Sequence, residues 1–216
     1  MQKLIDFFIK AGKVKRLKQR GLVLRGIKDP VTVGAHSFRG ALMAWVFAKA
    51  GKSELDENRL LKIILVHDLC AGFAGDITPY EPLIAKNKKN GMKQMFIRWI
   101  RLSKKEKEYF YAKQENIERK ALKELMSCLP KSLALEMEAK WFEYKNGLTP
   151  EGRFVQQVDM LENFLQSLEY WREDKKFPIE SWWQQMKELI HDPFLIEFLH
   201  AVDRRFHQSK GIKRGK

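Results

Sequence analysis

Apolar and polar positions alternate along this chain with the helical period, and that pattern predicts an all-α fold. Apolar residues recur three and four positions apart, which is typical of helices that bury one face. The spacing and the residues at segment ends predict helices over residues 4–19, 33–50, 54–71 and 103–128. They also predict a helix that follows Pro130 and ends at Asn146, a helix from 149 to about 171, and two short helices split by Pro193. The segment RGLVLRGIKDP is expected to be a loop. The whole pattern predicts roughly eight or more helices.

Several helix ends carry specific capping signals. Ser53 is a plausible N-cap, and Gly51 is expected to close the helix before it. Ser103 with Glu106 forms a capping box, so a new helix should begin there. Asn146-Gly147 should end the next helix, and Thr149-Pro150 supplies an N-cap followed by proline at the first helical position.

The most informative stretch is LLKIILVHDLCAGFAGDITP, residues 60–79. Its first half is apolar nearly all round, and His67-Asp68 then stands where the core should continue. A buried histidine beside a buried carboxylate is costly unless the two are paired or bind a metal, and both are ligands for divalent ions. An HD dipeptide is a weak signal alone, because His191-Asp192 is a second one. That pair precedes Pro193, outside any buried stripe, and is interpreted as a helix end.

Two other polar residues lie within apolar helices. His36 sits in VTVGAHSFRGALMAWVFA near the start of a helix, and Asp159 falls inside the apolar stripe of GRFVQQVDMLENFLQSLEYW. A lone histidine would more often be a hydrogen-bonded core residue. Arg39 shares the face of His36 and could hold a ligand carboxylate or pair at the surface.

The order His36, His67-Asp68, Asp159 resembles the H…HD…D signature of the HD-domain metal-dependent phosphohydrolases. More closely, LVHDLCAGFAGDITP, RGLVLRGI and FVQQVDMLENFLQSLEY together resemble the branch that hydrolyses deoxynucleoside 5′-monophosphates. The likeness covers about residues 14–206, and three ordered pieces are more specific than any one of them. It implies an all-α HD-domain helical fold, with a single domain over residues 1–208.

The resemblance also implies roles for individual residues. His36, His67, Asp68 and Asp159 would bind one divalent metal, for which manganese, cobalt, iron, nickel, zinc and magnesium all remain candidates. The resemblance makes Asp76 a catalytic carboxylate that positions or deprotonates the attacking water. The substrate would be a nucleotide or another small phosphate ester.

Arg20 is expected to reach the substrate phosphate, as an arginine does at this position in the resembling family. The alternative for Arg20 is a solvated arginine at a helix end, and that reading weighs more for Arg25.

The sequence departs from the resembling family at three places. Ala71 stands where active relatives carry the glutamate of HDxxE, which favours a nucleotide-binding or regulatory protein with weakened catalysis as the alternative function. Gly21 stands where some relatives have a tryptophan that shapes the sugar pocket. A basic insertion at about residues 84–112 mixes lysines and arginines with aromatic residues.

Charge and composition limit the classes of partner. The 216 residues include 41 Lys+Arg against 27 Asp+Glu, a formal net charge of +14, which attracts anions of any kind. The insertion could bind single-stranded nucleic acid, although a solvated helix face is the more frequent meaning of such a pattern. No apolar run reaches membrane-spanning length, and the first residues do not resemble a signal peptide.

Two cysteines without a metal-binding spacing favour a reducing, cytoplasmic setting and buried thiols, Cys70 included. The resemblance adds a homodimer as an expectation, and residues 209–216 are expected to be a disordered basic tail.

Overall fold

The computed structural model describes residues 1–78 and 103–207, and these form a helical assembly. Its helices are α1 (Gln2–Ala11), a 3₁₀ helix (Gly12–Lys15), α2 (Arg20–Leu24), α3 (Val33–Ala50), α4 (Glu57–Val66), α5 (Ala71–Ala74), α6 (Lys104–Met126), α7 (Lys131–Asn146), α8 (Pro150–Glu173), α9 (Glu180–Leu189) and α10 (Pro193–His207). The only extended pairing in these ranges is an isolated antiparallel bridge between Lys18 and Thr32. The prediction of an all-α fold is therefore confirmed.

Most predicted helix ends are confirmed. Ser103 and Glu106 form the capping box at the start of α6. Gly147 ends α7 in the left-handed conformation with φ 56°, and the Thr149 side chain accepts a hydrogen bond from the backbone of Gly152 at the start of α8. These ends were predictable because each depends only on residues within the same turn.

Three predicted helix boundaries are wrong: both ends of α4 and the end of α1. Ser53 does not cap α4, because its Oγ donates to Ala48 O at the end of α3, and the Asp56 side chain instead accepts from Arg59 N. Helix α4 also ends at Val66, so His67-Asp68 lies in the turn that follows. Helix α1 ends at Ala11, where Gly12 begins a tighter 3₁₀ turn.

The segment predicted as a loop contains the short helix α2, and a distant residue explains the error. Asp76 Oδ2 accepts a hydrogen bond from Arg20 N at 2.6 Å, which satisfies a backbone donor in the first turn of α2. The two residues are far apart in the sequence, so no local pattern around Arg20 could have revealed this cap.

Helix α8 organises the larger of two apolar clusters. It packs against α3, α4, α7 and α9. Its buried residues Val155, Val158, Leu161, Phe164 and Leu168 meet side chains of α3, α4, α9 and α10. The apolar stripe read from the sequence is thus the face that α8 buries, and Asp159 lies at its margin.

The smaller cluster forms around α6 and α7. It contains Phe7, Leu122, Leu125 and Trp141, and it also includes Cys70. Val66 belongs to this cluster while Ile63 and Ile64 belong to the larger one. The turn at His67-Asp68 therefore lies where the two clusters meet.

Gly152 in α8 allows a close approach of the α7 backbone, and this gives a stability prediction. A Cβ built at Gly152 would lie 2.3 Å from the backbone oxygen of Glu143. Gly152→Ala should therefore lower the free energy of unfolding by about 3 kcal/mol, since backbone atoms must shift to relieve the clash. Gly12→Ala is the control, because nothing lies within 4 Å of its Cβ position and its φ is −62°. Urea unfolding of both variants checks this, and equal stabilities would contradict it.

Some predictions fall outside the described residues. These are most of the basic insertion at about 84–112 and the whole tail at 209–216. The part of the insertion from Ser103 onward belongs to α6. No helix in the described ranges has both the length and the apolarity needed to cross a bilayer.

Candidate active site

The four residues of the H…HD…D pattern meet at one point. His36 lies in the first turn of α3, His67 and Asp68 follow α4, and Asp159 lies in the first half of α8. His36 Nε2 is 2.9 Å from Asp159 Oδ1, and His67 Nε2 is 3.3 Å from Asp68 Oδ2. The two crossed distances, from His36 to Asp68 and from His67 to Asp159, are both 3.9 Å. Two imidazole nitrogens and two carboxylates thus face the same small volume.

Each histidine is oriented by a hydrogen bond at its other ring nitrogen. His67 Nδ1 lies 2.5 Å from the backbone oxygen of Ile64, so Nδ1 carries the proton and Nε2 presents its lone pair. His36 Nδ1 contacts the Glu162 carboxylate in the same way. His67 Nε2 is buried and has no hydrogen-bond partner among the described residues. An oriented, buried lone pair without a partner fits a metal ligand, since buried polar atoms are otherwise satisfied.

Glu162 is a site residue that the sequence analysis missed. It is buried, and its second oxygen accepts from Arg39 Nε at 2.7 Å. Arg39 therefore holds a carboxylate that orients His36 rather than a ligand carboxylate, and it also pairs with exposed Glu169 at the surface. Glu162 follows Asp159 by three positions and shares its helix face, which is the signal that could have found it.

Tyr144 and Asn163 hold Asp159. Tyr144 donates its hydroxyl to Asp159 Oδ2 at 2.7 Å, and its ring packs edge-on against His67. Burial and the nearby Asp159 charge raise the pKa of Tyr144 well above its usual value, so it stays a donor. Asn163 donates to Asp159 Oδ1 at 3.1 Å and accepts from Gln19 Nε2 at 2.9 Å. These two hydrogen bonds fix the orientation of the Asp159 carboxylate, so that its Oδ1 faces His36.

The histidines and carboxylates of the cluster shift one another's pKa. Burial disfavours the ionised form of Asp68, but the adjacent His67 outweighs it and lowers the pKa of Asp68. Burial likewise disfavours the charge on His36, yet hydrogen bonds to Asp159 and Glu162 raise the pKa of His36 well above its usual value. Two partly buried carboxylates, Asp68 and Asp159, therefore favour positive charge at this point. A divalent cation supplies that charge with a donor set of nitrogen and oxygen atoms that suits it.

The cluster opens into a cavity of about 490 Å³. Its lining includes His36, Asp68 and Asp159, and also Asp76 and Ala71. Burial and the Asp68 charge raise the pKa of Asp76 to about 6, although the backbone hydrogen bond from Arg20 acts in the opposite direction. Asp76 is thus a carboxylate with a pKa of about 6 that lines the same cavity as the ligand cluster, and its catalytic role stays a prediction.

The arginines of the α2 segment occupy different positions. Arg25 lines the cavity, stacks on the Trp182 ring at 4.9 Å, and donates from Nη1 to Gly21 O. Arg20 is half-buried, and its side chain is not among the described residues that line the cavity. The phosphate-binding role of Arg20 stays a prediction, and Arg25 is the arginine of this segment that the structure places at the cavity.

The remaining polar candidates have structural roles. Cys70 is buried, and burial raises the pKa of its thiol to about 12, in keeping with the predicted packing role. The second HD pair caps a helix, since Asp192 Oδ1 accepts from the backbone of Phe194 and Leu195 at the start of α10. His191 is exposed, so this pair differs from His67-Asp68 in burial and in partners.

Comparison with known proteins places the chain in a family. The family model described as HD domain matches residues 11–195. This chain belongs to the HD-domain family. Among its relatives, 5′-deoxynucleotidase HDDC2 of Xenopus laevis is 30% identical over 92% of this chain and 85% of its own length. The HDDC2 protein of Dictyostelium discoideum, also a 5′-deoxynucleotidase, is 28% identical over 89% of this chain and 93% of its own.

The fold of this chain is also found among solved structures. A conserved hypothetical protein from Pyrococcus furiosus superposes with a TM-score of 0.67 and 26% identity, covering 93% of this chain and 99% of its own. The HD-domain prediction made from three sequence pieces is confirmed by the family model over residues 11–195.

Proposed function

We propose that this HD-domain protein is a metal-dependent phosphohydrolase that removes the 5′-phosphate from nucleoside and deoxynucleoside monophosphates. One observation carries the proposal: two oriented histidine nitrogens and two carboxylates converge at the wall of a cavity that also contains Asp76. The 5′-deoxynucleotidases that match this chain over most of their own length support the substrate class.

His36, His67, Asp68 and Asp159 would hold the metal. When bound, a divalent ion lowers the pKa of a coordinated water and polarises the phosphoryl oxygen. Asn163 and Tyr144 keep Asp159 directed at this point, and Glu162 keeps His36 in place. The donor set accepts manganese, cobalt, iron, nickel, zinc or magnesium.

Asp76 is proposed to orient the attacking water and accept its proton. A carboxylate with a pKa of about 6 is a better proton acceptor than an exposed one, because burial makes its charged form less stable. Its hydrogen bond with Arg20 N fixes the carboxylate orientation and ties it to the start of α2. Arg20 is proposed to bind the substrate phosphate from that same turn.

The cavity has the volume and the chemistry for a nucleotide. Ligand sites of small molecules usually measure about 300–1,000 Å³, and this cavity, at about 490 Å³, lies within that range. Trp182 provides an aromatic surface, and Gln19 and Gln185 provide amide groups that could meet a base or sugar. Pairing of two copies and a cytoplasmic location stay predictions from the sequence.

A phosphate-release screen tests the proposal. Purified protein would be incubated with each nucleoside and deoxynucleoside monophosphate and with each candidate metal in turn. We expect release of phosphate that requires the metal and stops with a chelator. Nucleotide binding without turnover would instead select the regulatory alternative suggested by Ala71. Binding of single-stranded nucleic acid that weakens steeply with salt would select the third alternative.

Glu162→Gln should weaken metal binding by about tenfold to a hundredfold, since losing the carboxylate behind a ligating histidine typically has this effect. Glu169→Gln is the matched control, because Glu169 also pairs with Arg39 but is exposed and touches no ligand. Metal dissociation constants from titration with a competing chelator check both. Equal affinities for the two variants would show that Glu162 does not support His36.

A further inference from the structure

Helices α6 and α7 contribute a polar wall to the active-site cavity that the proposed mechanism does not use. Gln114, Glu118 and Lys145 all line the cavity. Glu118 is buried, and its two oxygens have different partners: Gln114 Nε2 donates to Oε1 at 2.8 Å, and Lys145 Nζ lies 2.5 Å from Oε2. Gln114 also donates to the backbone oxygen of Ile77, next to Asp76. The wall is thus connected to the loop that carries the proposed base.

Lys145 carries a fixed positive charge close to the ligand cluster. Its side chain is 22% exposed, and burial opposes its charge, but the Glu118 carboxylate outweighs burial and raises the pKa of Lys145. The field of Lys145 also reaches Asp68, where it helps to lower the pKa of that carboxyl. Lys145 is therefore an ammonium group at the cavity wall and near the proposed metal position.

The charges around the cavity indicate that the Lys145 ammonium group can do more than neutralise Glu118. The ionisable residues that line the cavity include four carboxylates, those of Asp68, Asp76, Glu118 and Asp159, and two permanent cations, Arg25 and Lys145. A phosphate monoester brings up to two further negative charges, so its binding needs cations that face the cavity.

Both permanent cations lie against aromatic rings. Arg25 contacts Gly21 O and the Trp182 ring, and Lys145 Nζ lies 5.6 Å from the Trp141 ring centre and 5.8 Å from that of Tyr144. Of the three donors of the Lys145 ammonium group, the ion pair with Glu118 uses one. Donors therefore remain on Lys145 for an anion in the cavity.

We propose that Lys145, positioned by Glu118, binds the phosphate group of the substrate beside the metal ligands. The proposal rests on the proposed function and adds a phosphate ligand that comes from α7, outside the H…HD…D pattern. Ala71 fits this arrangement. It lines the same cavity, and a glutamate there would add a fifth carboxylate to a wall that must accept an anion.

Three variants test the role of Lys145. Lys145→Gln removes the charge but keeps a hydrogen-bond donor for Glu118, so the buried carboxylate is not left without a partner. Lys145→Arg keeps the charge. Lys62→Met is the control, because Lys62 is an exposed helical lysine that also pairs with a glutamate, Glu136, but does not line the cavity. Circular dichroism and metal content verify that each variant is folded and loaded.

The readouts are the KM for the best nucleotide of the screen and the dissociation constant of inorganic phosphate for the manganese-loaded protein, measured by calorimetry. Lys145→Gln should raise both by about tenfold to a hundredfold, as expected for one lost hydrogen bond between charged groups. Lys62→Met should change neither, and Lys145→Arg should recover most of the affinity. The metal content should stay that of the natural protein in all three.

Two results would overturn the role of Lys145. One is a phosphate affinity of Lys145→Gln equal to that of Lys62→Met, and the other is an equal loss in Lys145→Arg and Lys145→Gln, since packing and not charge would then explain the effect. Failure of the natural protein to bind phosphate at all has the same meaning. Absence of nucleotide hydrolysis, in contrast, defeats the proposed function alone, because the phosphate titration needs no turnover.

Discussion

Replacement of His67 or of Asp68 by alanine is expected to remove the bound metal and to lower phosphate release at least about a thousandfold. The natural protein should carry about one divalent ion per chain, since one cluster of four ligands is present at the cavity. The ligands act together, so losing one leaves an incomplete site with a partly buried carboxylate that has lost its counter-charge. Elemental analysis and the phosphate-release assay measure the two effects.

The second HD pair provides the control. His191 is exposed and contributes its backbone N–H to Gln157, so His191→Ala keeps that hydrogen bond and should leave metal content and rate unchanged. Metal retained by both His67→Ala and Asp68→Ala would refute the metal site. Metal lost with His191→Ala would show that the ion binds elsewhere.

Asp76→Asn is expected to lower the metal-dependent rate by about a hundredfold to ten-thousandfold, the range of general acid–base contributions. Asparagine keeps an oxygen that can accept the hydrogen bond from Arg20 N, so α2 should stay capped while the proton acceptor is lost. The metal content should not change. Steady-state kinetics with the best nucleotide, beside a metal analysis, separates loss of the base from loss of the ion.

Ala71→Glu examines the departure from the family pattern. If the missing glutamate limits turnover, restoring a carboxylate at this cavity position should raise the rate about tenfold or more, because a second group would share the positioning of the water. A rate that stays at background while nucleotide still binds would defeat the hydrolase function and leave the metal site and the fold. The same variant should weaken phosphate binding if Lys145 has the role proposed above.

The sequence drew attention to the residues of the site that lie in strongly apolar segments. His36 and Asp159 each stand within an apolar stripe, where burial of an ionisable residue requires compensation, and the resemblance to the H…HD…D pattern then made them candidate ligands. His67-Asp68 stood out for the same reason. The prediction that it lies inside a helix was wrong, because α4 ends one residue earlier, at Val66. The apolar run before it does not reveal where the turn begins.

Of the supporting residues, Glu162 shares a helix face with Asp159, whereas those on other helices could not be predicted from local sequence. Tyr144 lies at the end of α7 and reaches Asp159 only because α7 and α8 pack side by side. The cap of α2 by Asp76 likewise depends on tertiary structure. Lys145 was one of 41 lysines and arginines in the sequence, and only the fold separates it from the solvated ones.

Backbone hydrogen bonds join the two ends of the segment that carries Arg20 and Arg25. Gln19 N donates to Val31 O and Val33 N donates to Leu17 O. These hydrogen bonds hold together the two ends of the segment, which runs from the 3₁₀ helix to α3. The residues between form one wall of the cavity, whereas the proposed metal ligands all lie on other segments. Gln19, at the start of this segment, supports Asp159 through Asn163, whereas Gly21 and Leu22 line the cavity away from the ligands. We therefore expect substitutions at Gly21 or Leu22 to change which base or sugar is accepted more than they change metal binding. The residues expected to select the substrate and the residues expected to hold the metal thus lie largely on separate segments of this chain.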